Sequence, residues 1–290
     1  MSNLLNKRLA RSLGRTKPRL FAVVMMVAVG VFAGITFSGY SHNLDGMYET
    51  LHGDDDEGAN LADMWIDNRS TTWSHEEVTN FCSALEASWP ADMDELDSCE
   101  GRTIVQGTMF HSNDGGTQII NSLWHGIPEF ANADRLWMPS GHSEGRVASA
   151  ADEIVIDAHV VDALDLSLGD TVHIGAGSSP VEFSIVGIGY HPLHVFMAPE
   201  GSIFPPEPGQ YVVGYVSDSG MARLTNSTIG NSNTILLDVE GTPSFDLPDT
   251  EEYEGDEIDS VRNLVSRALE NAELDGRILS LIHISEPTRL

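Results

Sequence analysis

The apolar and polar positions of this 290-residue chain change period several times, and each change marks an element. From Leu20 to Tyr40 (LFAVVMMVAVGVFAGITFSGY) there is no charge at all. About twenty residues at about 1.5 Å each span a hydrocarbon core of about 30 Å, so this run predicts a transmembrane helix over 20–41. Leu61 to Ile66 reads as a strand. Ser74-His75-Glu76-Glu77 is a capping box, in which the serine oxygen accepts from the Glu77 amide while the Glu77 carboxylate reaches back. Val78, Phe81, Cys82, Leu85 and Trp89 follow at helical spacing, and Pro90 ends the run. Arg102 to Phe110 (RTIVQGTMF) predicts a returning strand.

The pattern then shortens to period two. Glu153–Asp157, Thr171–Ile174, Val181–Gly189 and Gln210–Val216 read as strands, with a short helical turn at Ala158–Leu164 and a Gly169-Asp170 turn. Residues 111–230 therefore predict a β-rich insert. Asn233–Val239 is a further strand. Ile258, Val261, Leu264, Val265, Ala268, Leu269 and Ala272 then form the stripe of a last helix, with Gly276 as its expected C′ residue. The fold class predicted is α+β: an N-terminal transmembrane helix, then an external domain of two strand-helix units, 59–110 and 231–278, around the insert.

Charge sharpens this division. Residues 1–19 hold six of the 15 basic residues and no acid, which leaves nine arginines against all 44 acidic residues in the rest of the chain. The positive-inside rule then puts the basic leader 1–19 in the cytoplasm and the chain after Ser41 outside the membrane. A cleaved signal peptide shares the basic start, but the apolar run is longer than a usual h-region and ends without an A-x-A pattern. A surface this anionic lacks the basic stripe that nucleic acid requires, so nucleic acid is excluded as a partner. The same acidity matches proteins that stay hydrated at high salt, an environmental reading that comes before any functional one. Membrane lipid is the partner the apolar run implies. The stretch 42–58, with Asp54-Asp55-Asp56, lacks the spacing of a calcium loop and reads as a solvated stalk.

Chemistry is sparse. The only two cysteines, Cys82 and Cys99, fall on the predicted oxidising side, and a disulfide between them closes a short loop; two free thiols are the alternative. Of the 11 histidines, His191-Pro192-Leu193-His194 is the best metal candidate, but Pro192 forbids an i, i+4 helical pair and no further ligand lies at a standard spacing. Asp92, Asp94 and Asp97 read as a solvated loop. Asn68 and Asn226 stand in N-x-S/T acceptor triplets. No nucleophile elbow, P-loop, G-x-G-x-x-G or H-E-x-x-H occurs, which argues against an enzyme, and no cofactor or metal is expected.

The order of elements, with Asp152–Gly175 (DEIVIDAHVVDALDLSLGDTVHIG) and Val181–Gly189 (VEFSIVGIG), resembles the permease subunits of ABC transporters of the MacB/FtsX type, in particular their MacB-like periplasmic core domain. The resemblance covers about 7–278. It implies a transport permease working with a cytoplasmic ATPase subunit and a second permease copy, for export, lipoprotein release or mechanotransmission. It carries over no active residue. Members of that family continue through three further membrane helices after the external domain. Here Leu279–Arg289 (LSLIHISEPTR) resembles the in-frame translation of a transposase-type sequencing adaptor, so 279–290 is expected to be a non-native tail on a fragment. The other class of function weighed is a single-pass, membrane-anchored external binding or structural module.

Overall fold

The computed structural model describes residues 21–32, 34–35, 58–68, 71–113, 116–128, 130–138, 141, 143–177, 179–194, 199, 206–240 and 257–280. The chain separates into two compact units, 1–50 and 51–290. In the first, 21–32 and 34–35 are helical. Their large apolar side chains are bare, Phe21, Met26 and Phe32 being 67, 75 and 73% exposed. Among the described residues no helix is long and apolar enough to cross a membrane. The rest of the 20–41 run, the stalk 42–57 and the tail from 281 onward lie outside the described residues.

The second unit begins with an open four-stranded layer. β1 (Met64–Asp67) lies between β9 (Thr234–Val239) and β10 (Arg277–Ser280), and β9 pairs in turn with the first part of β2 (Leu96–Asn113), every contact antiparallel. Alternation decides which side chains meet the helices. Met64 and Ile66 of β1 and Ile235, Leu237 and Val239 of β9 enter one core with Val78, Phe81 and Leu85 of α1 (His75–Ser88) and Val261, Val265 and Leu269 of α4 (Glu257–Asn271). Trp65 and Leu236 point the other way, onto Leu61, Ala62 and Ala133. Both faces of β9 are thus covered, and all six of its residues are buried. The Ser74 box forms as the spacing predicts: its hydroxyl accepts from the Glu77 N–H at 3.3 Å and its own N–H donates to Glu77 Oε2 at 2.7 Å.

At Thr103 the strand β2 changes partner. Residues 103–113 pair with β3 (Gly116–Gly126) and 108–110 also with β6 (Thr171–Gly175). From β3 the hydrogen bonding runs to β8 (Tyr211–Val216), β5 (Glu153–Asp157), β7 (Val181–Gly189) and β6, and so back to β2. Six strands therefore close into a barrel, leaving no free edge among themselves. The two-residue strand β4 (Glu144–Gly145) adds to β7 outside the ring. Trp124 fills the barrel. Its indole lies over Gly107 and Gly214, where an added Cβ would stand 2.3 and 2.7 Å from it, and its Nε1–H donates to the Gly175 carbonyl at 3.2 Å. α2 (Ala158–Leu164) follows β5, its Asp157 cap joining the two.

The structure adds detail to the sequence reading. The β-rich stretch 111–230 holds one helix more than the turn at Ala158–Leu164: α3 (Asp218–Thr225) follows β8, capped by Ser217 Oγ on the Gly220 N–H and stopped by Asn226 at φ 55°. The returning strand is longer than 102–110 and serves both layers, so the barrel starts near Thr103, earlier than 111. Gly276 does not supply the left-handed turn after α4; Glu273 does, at φ 54°. Gly276 is needed for space instead, because a Cβ there would lie 2.5 Å from Ile66. Leu279 and Ser280, assigned to the tail, continue β10 opposite Trp65 and Met64. Backbone pairing makes little demand on side-chain identity at such an edge.

Candidate functional site

Two features gather polar chemistry, and both lie where β2 passes from the open layer to the barrel. The first is a buried seam. Side chains on a strand alternate, so with Trp124 of β3 and Gly214 of β8 facing the barrel interior, His125 and Tyr215 face outward. The turn at Pro192–His194 lies over them. His191 stacks on Tyr215 with ring centres 5.6 Å apart and planes at 18°, and His125 meets His194 edge-on at 4.8 Å. His194 Nε2 and His125 Nε2 are 2.8 Å apart, a hydrogen bond between two neutral rings. Tyr215 donates to Asp157 Oδ2 at 2.7 Å, and Asp157 Oδ1 stands 2.6 Å from His159 Nδ1.

Burial sets the protonation of this group. It pushes His125 and His191 well below the ordinary imidazole range, with His194 lowering both further. His194 falls to about 4, again chiefly through burial. Tyr215 rises well above its ordinary value, through burial first and then through Asp157. His159 shifts upward because its hydrogen bond to Asp157 favours the imidazolium.

The structure therefore brings His191 and His194 together and adds His125, which the sequence did not single out. Their ring nitrogens have partners within the protein. His191 Nδ1 accepts from the Leu193 N–H at 3.3 Å, and its ring also bonds the Asp134 backbone carbonyl. His125 and His194 bind each other. Among the described residues, no three His, Cys, Asp or Glu side chains are arranged to hold a metal ion. Asp92, Asp94 and Asp97 are exposed. Asn68 is buried, with its Nδ2 donating to Thr71 Oγ1 at 3.0 Å, whereas Asn226 is exposed.

Carboxylates continue the seam toward β1 and β9. Asp134 accepts from the Ala62 N–H at 2.8 Å and the Trp65 indole at 3.1 Å. Asp63 accepts from the Val239 N–H at 3.0 Å, and Asp238 from Asn60 Nδ2 at 2.6 Å. Burial raises Asp134 to about 6 and Asp63 and Asp238 to about 7, and in Asp238 the nearby Asp63 adds to the rise.

The second feature is a groove of about 460 Å³ between α1 and β2. Its walls include Cys82 and Cys99, whose Cα atoms are 5.6 Å apart with the sulfurs joined. Arg102, 5% exposed, donates from Nη2 to Glu100 Oε2 at 2.6 Å and to the Ala133 carbonyl at 2.9 Å. Among the described residues its Nε and the Ser98 hydroxyl have no hydrogen-bond partner although both are buried, and both residues line the groove. Asp218, its pKa raised mainly by burial, and Phe130, 87% exposed, also line it.

No family model matches the chain, and no curated protein matches it. Among solved structures, it is similar to the periplasmic region of MacB from Actinobacillus actinomycetemcomitans at 13% identity and a TM-score of 0.43, covering 76% of this chain and 89% of that one. It is also similar to the extracellular domain of the ABC-type transporter YknZ from Gram-positive bacteria, at 13% identity and a TM-score of 0.41, covering 75% of this chain and 98% of that one.

Proposed function

We propose that the chain is the leading membrane helix and extracytoplasmic domain of a permease subunit of a MacB/FtsX-type ABC transport system. In this reading a cytoplasmic ATPase subunit hydrolyses ATP, and the permease, working as a pair of copies in membrane lipid, passes the conformational change outward. The outcome is export, lipoprotein release or mechanotransmission, with no bond made or broken by this chain. Residues 1–19 are cytoplasmic, 20–41 cross the membrane, and 42–278 form the external domain, where the Cys82–Cys99 bridge suits an oxidising compartment.

The observation that carries the reading is the phrase Asp152–Gly189. Its family likeness is spread over β5, α2, the Gly169 turn, β6 and β7, the elements that close the barrel inserted between the two halves of the open layer. Rigid layers sharing one continuous strand are suited to transmitting a displacement, because packed cores shift between discrete arrangements and do not stretch.

The test is the genomic DNA beyond the codon for Ile278. An open frame with three further membrane spans, beside an ATPase gene whose product co-purifies with this chain, is the expected result. A native stop codon at that point, with no ATPase co-purifying, would overturn the assignment in favour of a single-pass anchored module.

A further inference from the structure

The fold treats the two N-x-S/T triplets oppositely. Asn68, directly after β1, is buried: its Nδ2 donates to Thr71 Oγ1 at 3.0 Å, its Oδ1 accepts from the Thr71 N–H at 3.1 Å, and its own N–H donates to the Asn233 carbonyl at 2.8 Å. An amide held in this way leaves no room for a sugar. Asn226 closes α3 in the left-handed conformation, φ 55° and ψ 41°, which asparagine adopts more readily than other residues with a side chain, and its N–H donates to the Ala222 carbonyl. The helix stops there, and residues 226–229 are all exposed. Among the described residues no hydrogen bond holds the Asn226 side-chain amide or the Thr228 hydroxyl, whereas the Ser227 hydroxyl between them lies 2.8 Å from Thr225 Oγ1.

The surface around this triplet is also unlike the rest of the chain. There are 44 acidic residues in all, yet Leu224 to Leu237 holds no charge, and within that stretch Ile229 is 62% exposed. Carboxylates hydrate the surface elsewhere, whereas here a bare isoleucine stands among Asn, Ser and Thr. A sugar three residues away would supply the polar cover that charge supplies elsewhere. We infer that Asn226 is the attachment point of an N-linked oligosaccharide. In the transfer, Asn226 Nδ2 bonds to the anomeric carbon of a sugar carried on a lipid phosphate. The bond from that carbon to the phosphate oxygen breaks, the phosphate leaves with the electron pair, and one Nδ2 proton passes to a base of the transferring enzyme. The inference rests on the extracytoplasmic placement proposed above, because the donor is used on that side of the membrane.

Trypsin separates the two triplets, because it cuts after Arg69, Arg223 and Arg262: Asn68 falls on Leu20–Arg69 and Asn226 on Leu224–Arg262. Mass spectrometry of both peptides, from the full chain isolated from its own cells, with fragmentation that keeps sugars attached, is the test. The expected result is added sugar mass on Leu224–Arg262, located at Asn226, and none on Asn68. Thr228→Ala, which removes the acceptor hydroxyl and leaves the Asn226 cap in place, loses the added mass, whereas Thr228→Ser keeps it. Unaltered circular dichroism shows that both variants are folded. An unmodified Leu224–Arg262 overturns the inference, and so does sugar found on Asn68 or on a serine or threonine of the same peptide. Protease added outside intact cells tells the two failures apart. If it cleaves the domain while Asn226 is bare, the extracytoplasmic placement stands and the sugar site alone falls; if the domain is protected, both fall.

Discussion

Replacing Asp63 by asparagine makes the protein more stable at neutral and alkaline pH. Asp63 is 3% exposed and carries a carboxyl raised from 3.8 to about 7 by burial. A raised folded pKa means that the native state binds the proton more tightly than the unfolded chain does. The destabilisation is therefore absent below the unfolded value near 4, grows as the pH rises, and is complete above about 7. Fully developed, it amounts to about 4 kcal/mol as an upper limit. The asparagine side chain keeps an oxygen for the Val239 N–H but brings an amide that also needs a partner, so about half of that limit is the expected gain at pH 8. Relief of the repulsion on Asp238 acts in the same direction. At about 2–4 °C per kcal/mol this corresponds to a Tm increase of about 4–8 °C. Thermal unfolding of the full chain, followed by tryptophan fluorescence at pH 4.5 and pH 8 and constant ionic strength, makes the comparison. The buried histidines His125, His191 and His194, whose lowered pKa values destabilise the fold at pH 4.5, change the native Tm in the opposite sense, so the readout is the difference between the two proteins: D63N exceeds the native chain at pH 8 and by much less at pH 4.5. A D63N change equal at both pH values would refute the reasoning.

Three further outcomes follow from the same structure. Thiol titration of the denatured, unreduced chain finds no reactive cysteine, and C82S or C99S lowers stability by about 3 kcal/mol, as expected for a loop spanning a sequence separation of 17; two free thiols would exclude the bridge. Gly107→Ala destabilises by about 1–3 kcal/mol or prevents folding, because the new methyl meets the Gly175 carbonyl and the Trp124 indole; an unchanged Tm would show that the barrel relaxes there. Tyr215→Phe costs about 1–3 kcal/mol by leaving Asp157 Oδ2 buried without its donor, and His159, monitored by NMR titration, keeps its raised pKa because its own bond to Asp157 remains.

The groove and the seam differ in how far they could be read from the chain. Cys82 and Cys99 are visible because the chain has no other cysteine, and α1 because Ser74 and Glu77 box its start. α3 carried a cue too, Ser217 before Asp218, but Gly220 in its first turn weakens the helical pattern, and its stripe is only eight residues long. His125 and Tyr215 carried none. They stand on separate strands whose parallel register, His125 beside Tyr215, is set by barrel closure, and no local period contains that information. The partner change of β2 at Thr103 is equally silent, since a strand's own sequence does not name its neighbours on each edge.

Periodicity, capping and composition were enough to place most of the helices and strands, to say which face of each is apolar, and to set six positive charges before an uncharged run with an acidic chain behind it. Those properties are local. The closure of the middle strands into a ring, the burial of three neutral histidines against its outer face, and the groove between α1 and the first half of β2 emerge only when the chain is folded. Each depends on pairing between residues far apart in the chain, where loop closure and side-chain packing choose among arrangements that the local pattern leaves equal.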